Sequence, residues 1–349
     1  MKRAAFATLA LVAALALALV AGRAEAASSA ARDTQLVGTG ATFPFPLISK
    51  WIPEVGKAYG INITYSPTGS GAGIAAITAR TVDFGASDAP LSDQQLSDCK
   101  GCVVIPWALA AVSIPYNLPG VNGRVHLNGT TLANIYLGSI TSWNDPAIKK
   151  LNPKLDLPDT KITPVYRSDG SGTTYAYTNY LSAVSPQFSR RVGFNTSVNF
   201  PTGVGARGSS GVAGVVKNTP GAVCYVDTGY AITNHLRFAA VKNAAGRFIN
   251  PSIRNVKAAG DSVKTVPAGN EMHIVNPPKS NPTAYPISTY TYIILPTKSS
   301  KAAELRKMVF WALTQGQSAK YTAKLWFVAI PKTVLAASEK TLKQVTPAT

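Results

Sequence analysis

Three times between residues 34 and 98 a short apolar run ends in a turn of small polar residues and gives way to helical periodicity. "TQLVGTGATFPF" (34–45) leads into "PLISKWIPEVGKAY", "INITYSPTGSGAG" (61–73) into "GIAAITARTV", and "VDFGASDAPLS" (82–92) into "SDQQLSD". A chain that alternates this way predicts an α/β fold with mostly parallel strands. Ligands of such sheets bind beyond the carboxyl ends of the strands, where these turns fall. A new unit begins near "VSIPYNLPG" (112–120), carries a helix and turn in "TTLANIYLGSITSWNDPAIKKLNP", and reaches the strand "KITPVY". "GSSGVAGVVKNTPGAVCYVDTGYAITNHL" reads as helix, turn, strand and helix, with Cys224 a buried strand residue. "YPISTYTYIILP" reads as a strand and "SKAAELRKMVFWALTQGQSAKYTAKL" as one or two amphipathic helices. Residues 240–284, rich in Pro, Asn and Lys, suggest no element, and the last ten residues read as a polar tail.

The first 26 residues read differently. Met1-Lys2-Arg3 precedes an apolar run, and Ala24-Glu25-Ala26 follows it as a cleavage site, so residues 1–26 are expected to be a secretory signal peptide. The alternative is an uncleaved anchor. No cysteine follows the run, so a lipidated start is not expected. The remainder is long for one core, which predicts two domains. In the oxidising compartment that export implies, Cys99 and Cys102 are expected to form a local disulfide rather than a redox pair or half a zinc site. The net charge is +18 although only 14% of residues are charged. The basic residues are scattered, which excludes a nucleic-acid groove with clustered cations and exposed aromatics. The charge reads either as that of a basic exported protein near an acidic cell surface or as a field that draws in a small anion.

"GTGATF" (38–43), "TGSGAG" (68–73) and "DGSGTT" (169–174) each follow a strand and precede a helix. Unpaired N–H groups and the dipole at a helix start attract anions, and glycine lets the backbone come close. One such turn is ordinary loop chemistry; three in one chain point to an anion site. In "YRSDGSGTTYAY", Arg167 supplies a forked cation for a tetrahedral oxyanion, and Asp169 is placed to orient it. Asp88 is an acid where an anion is expected. A carboxylate only accepts hydrogen bonds, so it fits an oxyanion that keeps a proton. Phosphate near neutrality has one; sulfate has none. The plainer reading of Asp88 is a turn residue before Pro90.

Signals for catalysis are weak. "GASDA" lacks the last glycine of a nucleophile elbow, and His126, His235 and His273 have no metal-ligand spacing. "GVGARG" (203–208) fits a dinucleotide fingerprint, but "NFPT" precedes it where a strand should stand, so it reads as a flexible loop.

"GTGATFPFPLISKW", "TGSGAGIAAITARTVDFGASDAPLSD", "IYLGSITSWNDPAIKKLNP" and "RSDGSGTTYAYTNYL" resemble the phosphate-binding receptors of high-affinity phosphate ABC importers. The resemblance runs from about residue 36 to 335 and is weakest across 237–284. It implies a two-lobed periplasmic-binding-protein fold, type II-like, with a hinge and a ligand in the interlobe cleft. Lobe one would comprise 34–112 plus 285–349 and lobe two 113–284. It also implies the phosphate contacts: backbone N–H groups of Thr42 and Phe43, Ser70, Asp88 as proton acceptor, Arg167 steadied by Asp169, and donors from Ser171, Gly172 and Thr173. The expected function is therefore an exported, non-enzymatic receptor, periplasmic or extracellular, monomeric and without cofactor. It would hand inorganic phosphate to a membrane permease. The alternatives are an exported phosphate-ester hydrolase and a surface scaffold that binds phosphate without transport.

Overall fold

The computed structural model describes residues 34–348, so the signal peptide expected at 1–26 lies outside the described residues. The chain opens as the alternation predicts. Strands β1 (Thr34–Gly40), β2 (Ile61–Ser66) and β3 (Phe84–Ser87) pair in parallel, with β1 in the middle. Helices Phe45–Tyr59 and Ser70–Thr78 connect them. The first helix has prolines at its start, where a missing N–H costs nothing. It buries Leu47, Ile48, Trp51 and Val55, and ends at Gly60 in the left-handed region.

The parallel expectation then gives way. β4 (Cys102–Ser113) is antiparallel to β14 (Ser288–Pro296), which lies between β4 and β3 in the sheet and runs antiparallel to both. All nine residues of β14 are buried. Burying a side chain such as Ile293 or Ile294 stabilises by about 1.5–3 kcal/mol. The register slips between Thr291 and Tyr292, opposite Pro106 of β4. Proline gives no N–H to a ladder, and a bulge absorbs that defect.

Past Ser113 the chain enters a second sheet. Its strands are β5 (Pro115–Tyr116), β7 (Thr163–Arg167), β8 (Val204–Ala206), β9 (Ala222–Cys224) and β11 (Arg237–Phe238), in the order β11-β5-β9-β7-β8. Here β7 pairs in parallel with β8 and β9, while β5 is antiparallel to its neighbours. A smaller sheet joins β6 (His126–Leu127), β12 (Ala240–Lys242) and β13 (Phe248–Ile249). The two-residue strand β10 (Val226–Asp227) pairs with Ser113 and Val112 at the end of β4, where the two sheets meet. The protein is thus two-lobed and α/β.

Three readings need correction. "GVGARG" is no loose loop: it forms β8 beside β7 and starts the helix Gly208–Asn218. The last residues are not a free tail, because Thr346–Pro347 pairs with Lys298–Ser299. Residues 240–284 carry β12, β13 and the helix Ile253–Gly260. Asn270 there donates to the Val104 carbonyl and to Thr341, across separations that no local pattern encodes. Cys99 and Cys102 are disulfide-bonded, and Cys224 is a buried free thiol. Arg80, at φ 56, donates to the Ile77 carbonyl at 2.7 Å and to the Cys99 carbonyl at 2.7 Å. It thereby ties the far end of the helix Ser70–Thr78 to the disulfide loop.

Candidate functional site

The carboxyl ends of β1, β3 and β7 converge with the N-termini of the helices Phe45–Tyr59, Ser70–Thr78, Gly172–Val184 and Gly208–Asn218 and with the helix Thr228–Thr233. Helix Ser70–Thr78 lies so close to β1 that a Cβ on Gly73 would fall 2.5 Å from the Gly40 Cα. That approach fixes Ser70, at the helix start, beneath the loop after β3. Ser70 is buried, and its Oγ accepts from Asp88 N at 3.3 Å and from Gly172 N at 3.0 Å. With its acceptor capacity used twice, the hydroxyl is left with a hydrogen to give.

Gly172 opens the helix Gly172–Val184 under Ser171, whose Oγ caps Thr174 N at 3.2 Å. A Cβ on Gly172 would fall 2.6 Å from the Asp88 backbone, so the two loops touch at that point. Ser171 N–H is taken by the Thr196 carbonyl, which leaves its hydroxyl as the donor. Thr173 is fully buried and its hydroxyl has no hydrogen-bond partner. Nearby, Gly71 N donates to the Gly170 carbonyl at 2.9 Å.

Arg167 ends β7 with its side chain 2% exposed. Its Nε donates to Asp169 Oδ1 at 2.7 Å and its Nη2 to Asp169 Oδ2 at 2.5 Å. This bidentate grip uses two of five N–H groups and leaves three for a ligand. Burial pushes the Asp169 carboxyl up. The Arg167 hydrogen bonds and charge, with the Gly208 N–H at 2.9 Å, outweigh burial and hold it below the usual range.

Asp88 is 1% exposed, and its Oδ1 has no hydrogen-bond partner. Burial raises its carboxyl to about 7, against the lowering pull of Arg167 and of the Thr291 hydroxyl on β14. Thr291 acts here as a neighbouring dipole, because neither its Oγ1 nor Asp88 Oδ1 makes a hydrogen bond of normal geometry. An unpaired buried carboxylate is costly, and a partner bearing a hydrogen would relieve it. The next residue, Ala89, lines a cavity of about 380 Å³ with Pro90, Asp93, Tyr175, Asn195 and His273 among others, and Asp88 does not line it.

Thr42 completes the ring from the turn after β1. Its Oγ1 shares a 2.8 Å hydrogen bond with Ser209 Oγ and accepts from Ser209 N at 3.2 Å, while Tyr230 OH donates to its carbonyl at 3.2 Å. Phe43 is buried, its ring edge-on to Phe327 at 5.9 Å. All nine residues singled out in the sequence lie at these converging turns. Gly172 differs from its expected role in one respect, since its N–H goes to Ser70. Ser209, Tyr230 and Thr291 were missed. Only Ser209 carried a signal: "RGSSG" is another small polar turn before a helix.

Residues 25–310 match the family model for the PBP superfamily domain. The phosphate-binding protein PstS of Xylella fastidiosa is 41% identical over 305 residues, covering 86% of this chain and 82% of that protein. The chain belongs to the PstS family within the PBP superfamily. The PstS protein of Methanocaldococcus jannaschii is 35% identical, covering 85% of this chain and 82% of its own. The family's fold is also seen in the phosphate-binding protein crystal structure from Stenotrophomonas maltophilia, with a TM-score of 0.67 at 23% identity, over 88% of this chain and 93% of that one.

Proposed function

We propose that the protein captures inorganic phosphate outside the cytoplasm, in the periplasm or at the cell surface, and delivers it to the permease of a phosphate ABC importer without catalysing a reaction. The names of its relatives support the ligand, and the transport role rests on the family resemblance. The observation that carries the reading on this chain is Asp88: a buried carboxylate with an unpaired oxygen, among helix-start N–H groups, hydroxyls and the Arg167 guanidinium. Such a site suits an anion that still bears a hydrogen.

In this reading Thr42 and Phe43 offer backbone N–H groups, and Ser70, Ser171 and Thr173 offer hydroxyls. Gly172 turns its N–H from Ser70 toward the ligand. Arg167 supplies the charge, held in place by Asp169, and Asp88 accepts the ligand's hydrogen. About ten charge-assisted bonds of roughly 1.5–3 kcal/mol each exceed the roughly 8 kcal/mol of micromolar binding after the cost of lobe closure. Lobe one takes 34–112 with 285–349, and lobe two 113–284. Calorimetric titration with phosphate and with sulfate tests the reading. Tight phosphate binding with weak sulfate binding is expected, and equal binding of the two would refute the role of Asp88. A chromogenic phosphate ester is expected to go uncleaved.

A further inference from the structure

Asp227 is a second buried acid, which neither the resemblance nor the site residues above account for. It ends β10 beside Val112, where the two sheets meet, and is 1% exposed. Its Oδ1 caps the helix Thr228–Thr233 by accepting from Tyr230 N at 3.0 Å. Its Oδ2 is buried and has no hydrogen-bond partner. Three groups act on it: Asp88 from the loop after β3, Arg167 from the end of β7, and Tyr230 from its own helix. Tyr230 in turn donates through its hydroxyl to the Thr42 carbonyl.

The charges decide the matter. Arg167 is already gripped at two points by Asp169. If Asp88, Asp169 and Asp227 were all ionised, three negative groups would face one positive group at the place where an anion must enter. Like charges in a water-poor site repel strongly. One proton removes the worst of this. Asp88 faces the place where a ligand would bring a hydrogen, whereas the buried Oδ2 of Asp227 meets no donor, so a charge there is offset only by the Tyr230 N–H and by Arg167.

We propose that Asp227 is a resident uncharged carboxylic acid, a positioning residue that spares the anion site a negative charge and holds Thr42 in place through Tyr230. Burial, reinforced by the Asp88 charge, pushes its carboxyl well above the usual range against the Tyr230 N–H and the Arg167 charge. The proposal rests on the phosphate reading for its consequence, but the proton itself can be detected without any ligand.

The test uses the full-length protein, with Asp227→Asn as the uncharged isostere and Asp88→Asn as a second variant. By calorimetry with inorganic phosphate, the effect of Asp227→Asn on Kd is expected to be smallest at the acid end of the range, where both side chains are uncharged. The ratio of parent Kd to variant Kd is expected to rise with pH, because only the parent gains a charge there. Without phosphate, the melting-temperature advantage of Asp227→Asn is expected to grow as pH rises above the ordinary carboxyl range. The infrared carbonyl band of a protonated acid is expected at neutral pH in the parent and in Asp88→Asn, and to weaken in Asp227→Asn. An ionised acid serving only as a helix cap would give the opposite: a constant loss across pH and no change in that band. Those results would overturn the proposal. Should the parent bind no phosphate, the transport reading fails, while the band and the melting curves still decide whether Asp227 holds its proton.

Discussion

At the scale of single residues, the proposed contact of Asp88 with the ligand would set both selectivity and pH response. Its carboxyl sits at about 7, close to where phosphate itself exchanges a proton. In the proposed site, acid and ligand would therefore share one hydrogen between two oxygens, whichever of them brought it. Sulfate brings none, so it can bind only when Asp88 is already protonated. Sulfate affinity is expected to fall by about tenfold for each pH unit above neutrality, by proton linkage. Phosphate is expected to respond less steeply, so the preference for phosphate narrows in acid. Asp88→Asn, which keeps a donor at every pH, is expected to flatten the sulfate curve; a sulfate Kd independent of pH in the parent would contradict this. Stability is linked with the opposite slope to that of a salt-bridged acid. The Asp88 carboxyl is raised on folding, so its contribution is greatest below the unfolded carboxyl pKa of about 3.9. It declines as pH rises to about 7 and is level above that. Urea titrations of phosphate-free protein across that window are expected to show the decline, and to lose this component in Asp88→Asn.

At the scale of elements, the proposed site is built from helix starts, and glycine sets how near they come. Gly172→Ala puts a methyl group into the Asp88 backbone without straining the helix. The expected result is a protein that folds normally but closes poorly, with phosphate affinity reduced by about tenfold or more, a loss of at least roughly 1.4 kcal/mol. Small-angle scattering with saturating phosphate is expected to show a larger radius of gyration than the parent. The disulfide tests the opposite end of the helix Ser70–Thr78. Chain entropy assigns about 2 kcal/mol to a loop as short as that between Cys99 and Cys102. Replacing both with serine is expected to cost that order of stability in urea titrations and to leave phosphate binding nearly unchanged, because Arg80 still holds the Ile77 carbonyl.

Elements also show what the sequence made legible. The turns at 38–43, 68–73 and 169–174 could be read because strand, turn and helix are local patterns, and glycine with serine or threonine marks the turn directly. Arg167 and Asp169 stand two apart on one turn, so their pairing was local as well. Ser209 and Tyr230 lie 167 and 188 residues from Thr42, and no local periodicity reports such a meeting. The same holds for β14, which looked like a strand but gave no sign that it would separate β3 from β4. Hydrophobic runs reveal that a strand is buried; they do not reveal its neighbours or its direction.

At the scale of the whole molecule, the charge and the two lobes act together. A net charge of +18 on scattered side chains makes a long-range field rather than a specific contact. Such a field speeds the arrival of anions and is screened over about 8–10 Å at physiological salt. Stopped-flow measurements are expected to show a phosphate association rate that falls with added sodium chloride, while the dissociation rate changes little. A dissociation rate that carried most of the salt dependence would count against this division of labour.

The lobes also grip each other directly. Gly71 N–H reaches the Gly170 carbonyl, and Tyr230 OH reaches the Thr42 carbonyl. Neither of these bonds passes through a guest. A guest enclosed behind them cannot slip out by loosening its own hold. Its dwell time is governed by how often the jaws part, and unloading becomes a task for whatever surface pulls them open.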